Sequence, residues 1–356
     1  MGLVKRVLVA MSGGIDSTVA SILLKQKGYE VEGITFRLWE KEQTTDSLQE
    51  KEGYSSARVQ GVADQLNIPL HILDLREEFR GEVVEYFCSC YKEGKTPNPC
   101  VLCNKKIKWH YLMKYAMEKN FDFVSTGHYA QIAQEEGRFF IEKGADFLKD
   151  QSYFLWQLGE EELKKTLFPL GDKTKNEVRE IFLASNIHIQ SLPKESMDIC
   201  FVDTDYRDFL KREKPEYFSS IKEGDYVDFE GNKLGKHEGY LFYTIGQRRK
   251  LGIALGYPAF VTKIIPEENK VQLGTLEKLF SIQMRLKEIH IHFQEFFTSN
   301  DLRVRIRYRS KEELCKVELL GDEMIVTFLE PVSAITPGQS AVFYLGESVV
   351  GGGIIM

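Results

Sequence analysis

The stretch RVLVAMSGGIDSTVASILLKQKG, residues 6–28, joins an apolar run to an amphipathic segment through two adjacent glycines. Val7 to Met11 are continuously apolar, as in a strand buried on both faces. Asp16 to Lys27 reads as a helix with Ile22, Leu23 and Leu24 inward, and Gly28 stands where a left-handed cap ends such a helix. A glycine turn between strand and helix brings backbone amides to an anion, most often a phosphate. A Walker loop would end in Gly-Lys-Ser/Thr, and a dinucleotide fingerprint would space its glycines G-x-G-x-x-G; neither is present. What remains is Ser12-Gly13-Gly14-Ile15-Asp16-Ser17. Its glycines admit close backbone approach, its serines donate hydrogen bonds, and Asp16 suits Mg²⁺ better than a phosphate oxygen. The alternative is a tight turn with an ordinary Asp N-cap.

Strand and helix patterns alternate outward from this stretch. "VEGITFRLW" is a second strand, a polar run follows from Glu40 to Ser56, and a helix covers Ser56 to Leu66. "PLHILDL" is a strand, Glu77 to Tyr91 a helix, "TPNP" a break, and a further helix runs through Glu118 before the strand "FDFVSTG". This βαβα order predicts a doubly wound, mostly parallel sheet. After about Asp203 the pattern becomes short strands and glycine turns, so two small β domains follow, the last a β-barrel. The expected domains are 1–203, 204–279 and 280–356.

The 356 residues are 43% hydrophobic and 28% charged, which suits two or three domains. Val7 to Met11 is too short for a signal sequence, and no run approaches the roughly 20 apolar residues of a membrane span, so a cytoplasmic location is expected. A net charge of -6 means that any nucleic-acid contact must come from local basic patches.

Of six cysteines, Cys88, Cys90, Cys100 and Cys103 lie close in sequence, while Cys200 and Cys315 stand alone. In "KTPNPCVLCNKKIKW", Asn98 suits an N-cap with Pro99 at the first helical position. Cys100 and Cys103 then share one face of the opening turn, where the helix dipole and Lys105 and Lys106 favour the Cys103 thiolate. A structural zinc site of the four clustered cysteines is the competing reading. Cys200, in "SMDICFV", reads by itself as a buried core thiol.

"SGGIDS" after a strand resembles the loop of the N-type ATP pyrophosphatases, whose fold is that of the adenine nucleotide alpha hydrolases. With "TPNPCVLCN", "STGHYA", "KDQSYFLW", "FPLGDKTKNEVRE", "MDICF", "YTIGQRRKLG" and "RIRYR", the chain is similar in order and almost throughout to the tRNA-specific 2-thiouridylases. That resemblance implies adenylation, by ATP, of the oxygen on C2 of the wobble uridine of tRNA. Sulfur from a cysteine persulfide then replaces that oxygen, giving 2-thiouridine, AMP and pyrophosphate. It casts Cys103 as nucleophile and Cys200 as persulfide carrier, the two closing a disulfide. ATP with Mg²⁺ falls to Ala10, Met11, Ser12, Gly13, Gly14, Ile15, Asp16, Ser17, Phe36 and Gly127. The tRNA falls to Asn98, Pro99, Cys100, His128, Lys149, Asp150, Gln151, Arg307, Tyr308 and Gln339. It also implies acceptor tRNAs for Lys, Glu and Gln, and a sulfur-donor protein, either a cysteine desulfurase or a relay. One position departs from the family: Cys100 stands where an Asp is usual, two places after the Asn.

Several of these positions have plainer readings. Phe36 could be core, His128 a solvated strand end, Lys149 to Gln151 a polar helix start and Gln339 a loop residue. "LRVRIRYRS" predicts a strand with Arg303, Arg305, Arg307 and Arg309 on one face, which an RNA backbone would neutralise or solvent would cover. "QRRK" and "NKKIK" add basic clusters. Two other functions compete: another loop-class ligase or amidotransferase-like enzyme, which would not need Cys103 and Cys200, and a zinc-stapled RNA-binding protein, which would leave ATP intact.

Overall fold

The computed structural model describes residues 4–39, 56–189, 199–202 and 205–356. In chain order the first elements are β1 (Arg6–Ala10), α1 (Ile15–Gln26), β2 (Glu30–Arg37), α2 (Ser56–Leu66), β3 (Leu70–Asp74), α3 (Arg76–Phe79) and α4 (Glu85–Lys92). Next come α5 (Pro99–Leu102), α6 (His110–Glu118), β4 (Phe123–Ser125), β5 (Ala130–Glu135), β6 (Arg138–Lys143), α7 (Glu160–Lys164), β7 (Thr166–Leu167) and α8 (Lys175–Ala184). Then follow α9 (Tyr206–Glu213), α10 (Pro215–Ser220), β8 (Gly224–Val227), β9 (Lys233–His237), β10 (Phe260–Ile265) and β11 (Lys270–Gly274). The chain closes with β12 (Phe280–Ile291), β13 (Arg303–Arg305), β14 (Glu313–Leu320), β15 (Glu323–Ser333), β16 (Ser340–Leu345) and β17 (Ser348–Ile355).

Two compact units emerge. The first comprises Met1–Val83, Cys100–Phe201 and Glu347–Val349, the second Val84–Pro99, Val202–Gly346 and Val350–Met356. The first holds a five-stranded sheet in the order β3-β2-β1-β4-β7, every pair parallel. Its central strand explains the unbroken apolar run at the start. Val7, Val9 and Met11 pack with Leu24, Val59, Val62 and Ala63 of α1 and α2. Leu8 packs on the other side with Ile34, Leu112, Ala116 and Val124. The doubly wound sheet is therefore as expected. Gly28, at φ +85, ends the first helix in the left-handed conformation anticipated for it.

The second unit carries a four-stranded sheet, β10-β11-β8-β9, and a six-stranded antiparallel barrel, β12-β15-β14-β13-β16-β17, closed by the pairing of β12 with β17. Leu286, Val304, Val326 and Phe343 fill the barrel, with Cys315 among them.

Three readings change. The helix expected at 77–91 is interrupted by a π-helical turn at Arg80–Val84, and the helix after "TPNP" by a longer one at Cys103–Trp109. The arginine strand is short: pairing ends at Arg305, and residues 306–310 bend away. Arg305 itself is buried, 2.6 Å from Glu312, with its guanidinium 4.9 Å from the centre of the Tyr344 ring. With Arg305 enclosed and the strand ending there, no open four-arginine face forms. The polar run at 40–55 and the expected boundary between 203 and 204 lie outside the described residues.

Candidate active site

The strand order reverses beside β1: β2 and β3 continue on one side and β4 on the other. Crevices of parallel sheets open at the carboxyl ends of the strands at such a reversal. There β1 runs into the glycine loop and β4 into Thr126-Gly127-His128, in register through Val9 and Ser125.

The loop is drawn tight. Ala10 ends β1, and the Met11 amide donates to the Ile34 carbonyl at 2.8 Å. Gly13 has φ +73, and a Cβ there would meet Arg58 and Val59 at 3.1 Å, so the position needs glycine on two counts. The Ser12 amide donates to Ser17 Oγ at 3.3 Å, and Ser17 Oγ donates to the Gly14 carbonyl at 3.2 Å. Gly14 is the N-cap of α1 and offers no side chain, so no side chain caps the first-turn N–H groups that begin at Ile15. A Cβ on Gly127 would lie 3.0 Å from the Ser17 nitrogen, which places that glycine against the start of the helix. Phe36 is half-buried and packs on the core around Leu8 and Ile34, two residues beyond the end of the β1 pairing.

Asp16 is already engaged. Lys175 Nζ donates to its two oxygens at 2.7 and 2.9 Å, and Tyr129 Oη donates to Oδ1 at 2.8 Å. Sequence reasoning missed both partners, which lie 159 and 113 residues away. A local signal did exist for Lys175. Thr174-x-x-Glu177 forms a capping box that fixes Lys175 as the first residue of α8.

Cys103 and Cys200 lie in the same unit. Each lies within electrostatic reach of the other, of Cys100 and of Lys108. Cys103 is buried, while Cys100 and Cys200 keep exposed faces in densely walled surroundings. Burial pushes the Cys103 thiol up to about 12 and the Cys100 thiol up to about 11, and Lys108 opposes the shift at both. Cys200 is raised for the same reason. The expected thiolate at Cys103 is therefore corrected: the resting thiol is protonated, because burial outweighs the charge nearby. Lys105 is not its partner, since it pairs with Glu162 at 2.6 Å. Lys108 is the relevant cation, and the π-helical turn explains why. An i to i+5 repeat aligns positions 103 and 108, which a regular α-helix would not.

His128 follows the same rule. Burial, then Lys108, lowers its pKa to about 3, so the ring is neutral, with Nδ1 2.7 Å from Thr126 Oγ1. Asp150 is buried, accepting the Gly144 and Ser152 amides at 3.1 and 3.0 Å, and Gln151 Oε1 accepts the Tyr129 amide at 3.0 Å. Their neighbour Lys149 is half-buried. Among the described residues no group of three or more His, Cys, Asp or Glu side chains could hold a metal ion.

In the second unit Asn98 is buried and immediately precedes Pro99, the first residue of α5. Gln339 Nε2 donates to the Thr96 and Pro97 carbonyls at 3.0 and 2.9 Å, holding the approach to that turn. Arg307 donates to the Ile245 and Ala334 carbonyls at 3.1 and 3.0 Å and to Thr336 Oγ1, and Tyr308 beside it is half-buried.

A glycine loop of this sequence at the switch point of a parallel sheet is the arrangement of a PP-loop enzyme. Family models agree along the chain. A "tRNA methyl transferase HUP domain" matches residues 5–204, a "tRNA methyl transferase PRC-barrel domain" 207–275 and an "Aminomethyltransferase beta-barrel domain" 281–355. The tRNA-specific 2-thiouridylase MnmA 3 of Phocaeicola vulgatus is 44% identical over 99% of this chain and 94% of its own. The MnmA of Cytophaga hutchinsonii is 45% identical over 98% and 97%, and that of Carboxydothermus hydrogenoformans 42% over 99% and 97%. The chain belongs to the tRNA-specific 2-thiouridylase family. No helix among the described residues is long and apolar enough to cross a membrane.

Proposed function

We propose that the protein thiolates C2 of the wobble uridine of tRNA at the expense of ATP. The observation that carries this reading is that Cys103 and Cys200, 97 positions apart in sequence, lie within electrostatic reach of each other in the unit that holds the glycine loop. A ligase using ammonia or an amine would have no use for that pair. The uridine O2 attacks the α-phosphate of ATP, pyrophosphate leaves, and C2 becomes electrophilic through its adenylyl oxygen. The Asp16 carboxylate would hold Mg²⁺, which when bound would offset phosphate charge. Phe36 and Gly127 border the nucleotide.

A donor protein, either a cysteine desulfurase or a sulfur relay, leaves a persulfide on Cys200, whose exposed face admits it. The terminal sulfur attacks C2, and the oxygen departs with AMP. Cys103 Sγ then attacks Cys200 Sγ and breaks the bond to the transferred sulfur, which stays on C2 as the thione. The product is a Cys103–Cys200 disulfide, and an external thiol supplies the two electrons that reopen it. Lys108 stabilises the Cys103 thiolate as it forms. The turn at Asn98, Pro99 and Cys100 and the neutral His128 face the uridine. Lys149, Gln151, Arg307, Tyr308 and Gln339 serve the tRNA, with buried Asp150 holding the 149–151 segment through the Gly144 and Ser152 amides, and acceptors for Lys, Glu and Gln are the expected substrates. The division 1–203, 204–279 and 280–356 assigns the ATP and sulfur chemistry to the first part, and shares the tRNA contacts between the first part (Asn98 to Cys100, His128, Lys149 to Gln151) and the last (Arg307, Tyr308, Gln339).

The test is thiolation in vitro with tRNA, ATP and a desulfurase, read by nucleoside mass spectrometry. Formation of 2-thiouridine with AMP and pyrophosphate is expected. ATP cleavage with an amine incorporated, or tRNA binding with ATP intact, would reject it.

A further inference from the structure

The loop lacks the lysine that other phosphate loops carry, and its own side chains include an anion, Asp16. A carboxylate in the first turn of α1 repels the phosphates that the bare N–H groups attract. The structure places a cation on that carboxylate. Lys175 Nζ reaches both Asp16 oxygens, and its side chain is only 11% exposed. The position is built. Thr174 and Glu177 cap α8 reciprocally, with the Thr174 amide 2.6 Å from Glu177 Oε2, and the Lys175 amide donates to Asp146 Oδ2 at 2.9 Å.

Stability alone accounts poorly for this arrangement. Asp16 is 36% exposed, and ion pairs with one wet partner add little to stability. Fixing a long lysine side chain sacrifices its rotamer freedom, which such a pair does not repay. The motif holding it, "FPLGDKTKNEVRE", has no other task in the chemistry above.

We infer that Lys175 is the phosphate-binding cation of the loop. It is held on Asp16 in the free protein and turns to the pyrophosphate end of ATP when Mg²⁺ takes over the Asp16 carboxylate. The exchange keeps charge balanced in both states: lysine on carboxylate before binding, then lysine on phosphate and metal on carboxylate. Tyr129, whose hydroxyl donates to the same Asp16 oxygen, holds that carboxylate in place as its partners change.

This inference rests on the ATP reading, and binding experiments separate the two. Mg²⁺ with inorganic pyrophosphate, and AMP, are titrated separately into the full-length wild type, Lys175→Gln and Lys175→Arg by calorimetry. Lys175→Gln should weaken pyrophosphate binding about tenfold or more and leave AMP within about twofold, whereas Lys175→Arg should keep most of the affinity. Equal loss for both ligands marks a purely structural lysine, and unchanged pyrophosphate binding removes it from the site. Either result overturns the inference.

Asp16→Asn supplies a test that does not need Lys175 altered. Without metal, that variant should bind pyrophosphate more tightly than wild type, since the lysine is released and the repulsion is gone. No gain there also overturns the proposal. A wild type that binds neither AMP nor pyrophosphate would instead reject the nucleotide reading itself.

Discussion

Two clusters in the first unit handle charge in opposite ways. Around Asp16 opposite charges face each other, lysine on carboxylate, with a tyrosine hydroxyl completing the set. Around Cys103 the charge is withheld. Burial keeps the thiol protonated and His128 neutral, and Lys108 only moderates the cost of ionising the cysteine. Each arrangement suits its task. A phosphate site must present charge before the ligand arrives, because the anion already exists in solution. A sulfur nucleophile that ionised early would be open to oxidation and to the wrong electrophile.

The largest expected effect comes from deleting either thiol. Cys103→Ser and Cys200→Ser should each lower thiolation more than about a thousandfold while nucleotide binding by the loop persists. Cys315→Ser, altered inside the barrel core, should keep the chemistry. Desulfurase treatment should add about 32 Da, one sulfur, to the peptide containing Cys200. Full thiolation by either serine variant would dissolve the contrast between the clusters.

Arg305 sharpens the comparison from the second unit. Its ion pair with Glu312 is more buried than that of Asp16, with side chains 6% and 16% exposed. Removing one partner of such a pair leaves a stranded charge, so Arg305→Ala should cost about 3 kcal/mol of stability in denaturant unfolding. Arg305→Met with Glu312→Leu should recover most of that. A loss under about 1 kcal/mol would place this pair with ordinary surface bridges.

The withheld charge has a pH signature. An ordinary thiol, with a pKa of about 8.5, reaches its plateau of alkylation soon above that pH. Cys103, pushed up to about 12, should instead react about tenfold faster per pH unit between roughly pH 8 and pH 10. Iodoacetamide labelling read by peptide mass gives the profile, and a plateau near neutral pH would restore the thiolate expected from the helix start. The sign for stability follows. A folded-state pKa above the unfolded one leaves stability intact below about pH 8.5 and erodes it as pH climbs towards about 12.

What was legible in the sequence divides along the same line. Residues 6–28 announced strand, loop and helix because glycine placement and apolar pattern are local properties. The parallel sheet followed from alternation of elements. Lys175 and Tyr129 were not legible as partners of Asp16, since only the folded sheet brings them to it. The π-helical register that sets Lys108 beside Cys103 leaves no periodic mark, so Lys105 and Lys106 looked like the nearer cations. The arginine stripe misled for a different reason. Period two identifies a strand's two faces but not which is covered, and in a closed barrel the face carrying Arg305 can be enclosed by Glu312 and Tyr344.

The smallest effect compares the two glycines that bracket α1. Both hold positive φ, +73 at Gly13 and +85 at Gly28, so alanine at either strains the backbone by about 1 kcal/mol. Their surroundings differ. Nothing lies within 4 Å of a Cβ at Gly28, whereas one at Gly13 meets Arg58 and Val59 at 3.1 Å. Gly28→Ala should therefore lose only that backbone strain, and Gly28→Asn, which tolerates the left-handed region, should lose less. Gly13→Ala should lose more stability than Gly28→Ala and should also weaken ATP binding, because the neighbours must shift where the loop amides are aimed. Thermal unfolding with and without Mg²⁺-ATP separates the two. Gly28→Ala should keep the full ligand-induced rise in Tm, and Gly13→Ala should lose part of it. If both variants keep the same rise, the loop's tight geometry serves the fold and the phosphates are held elsewhere.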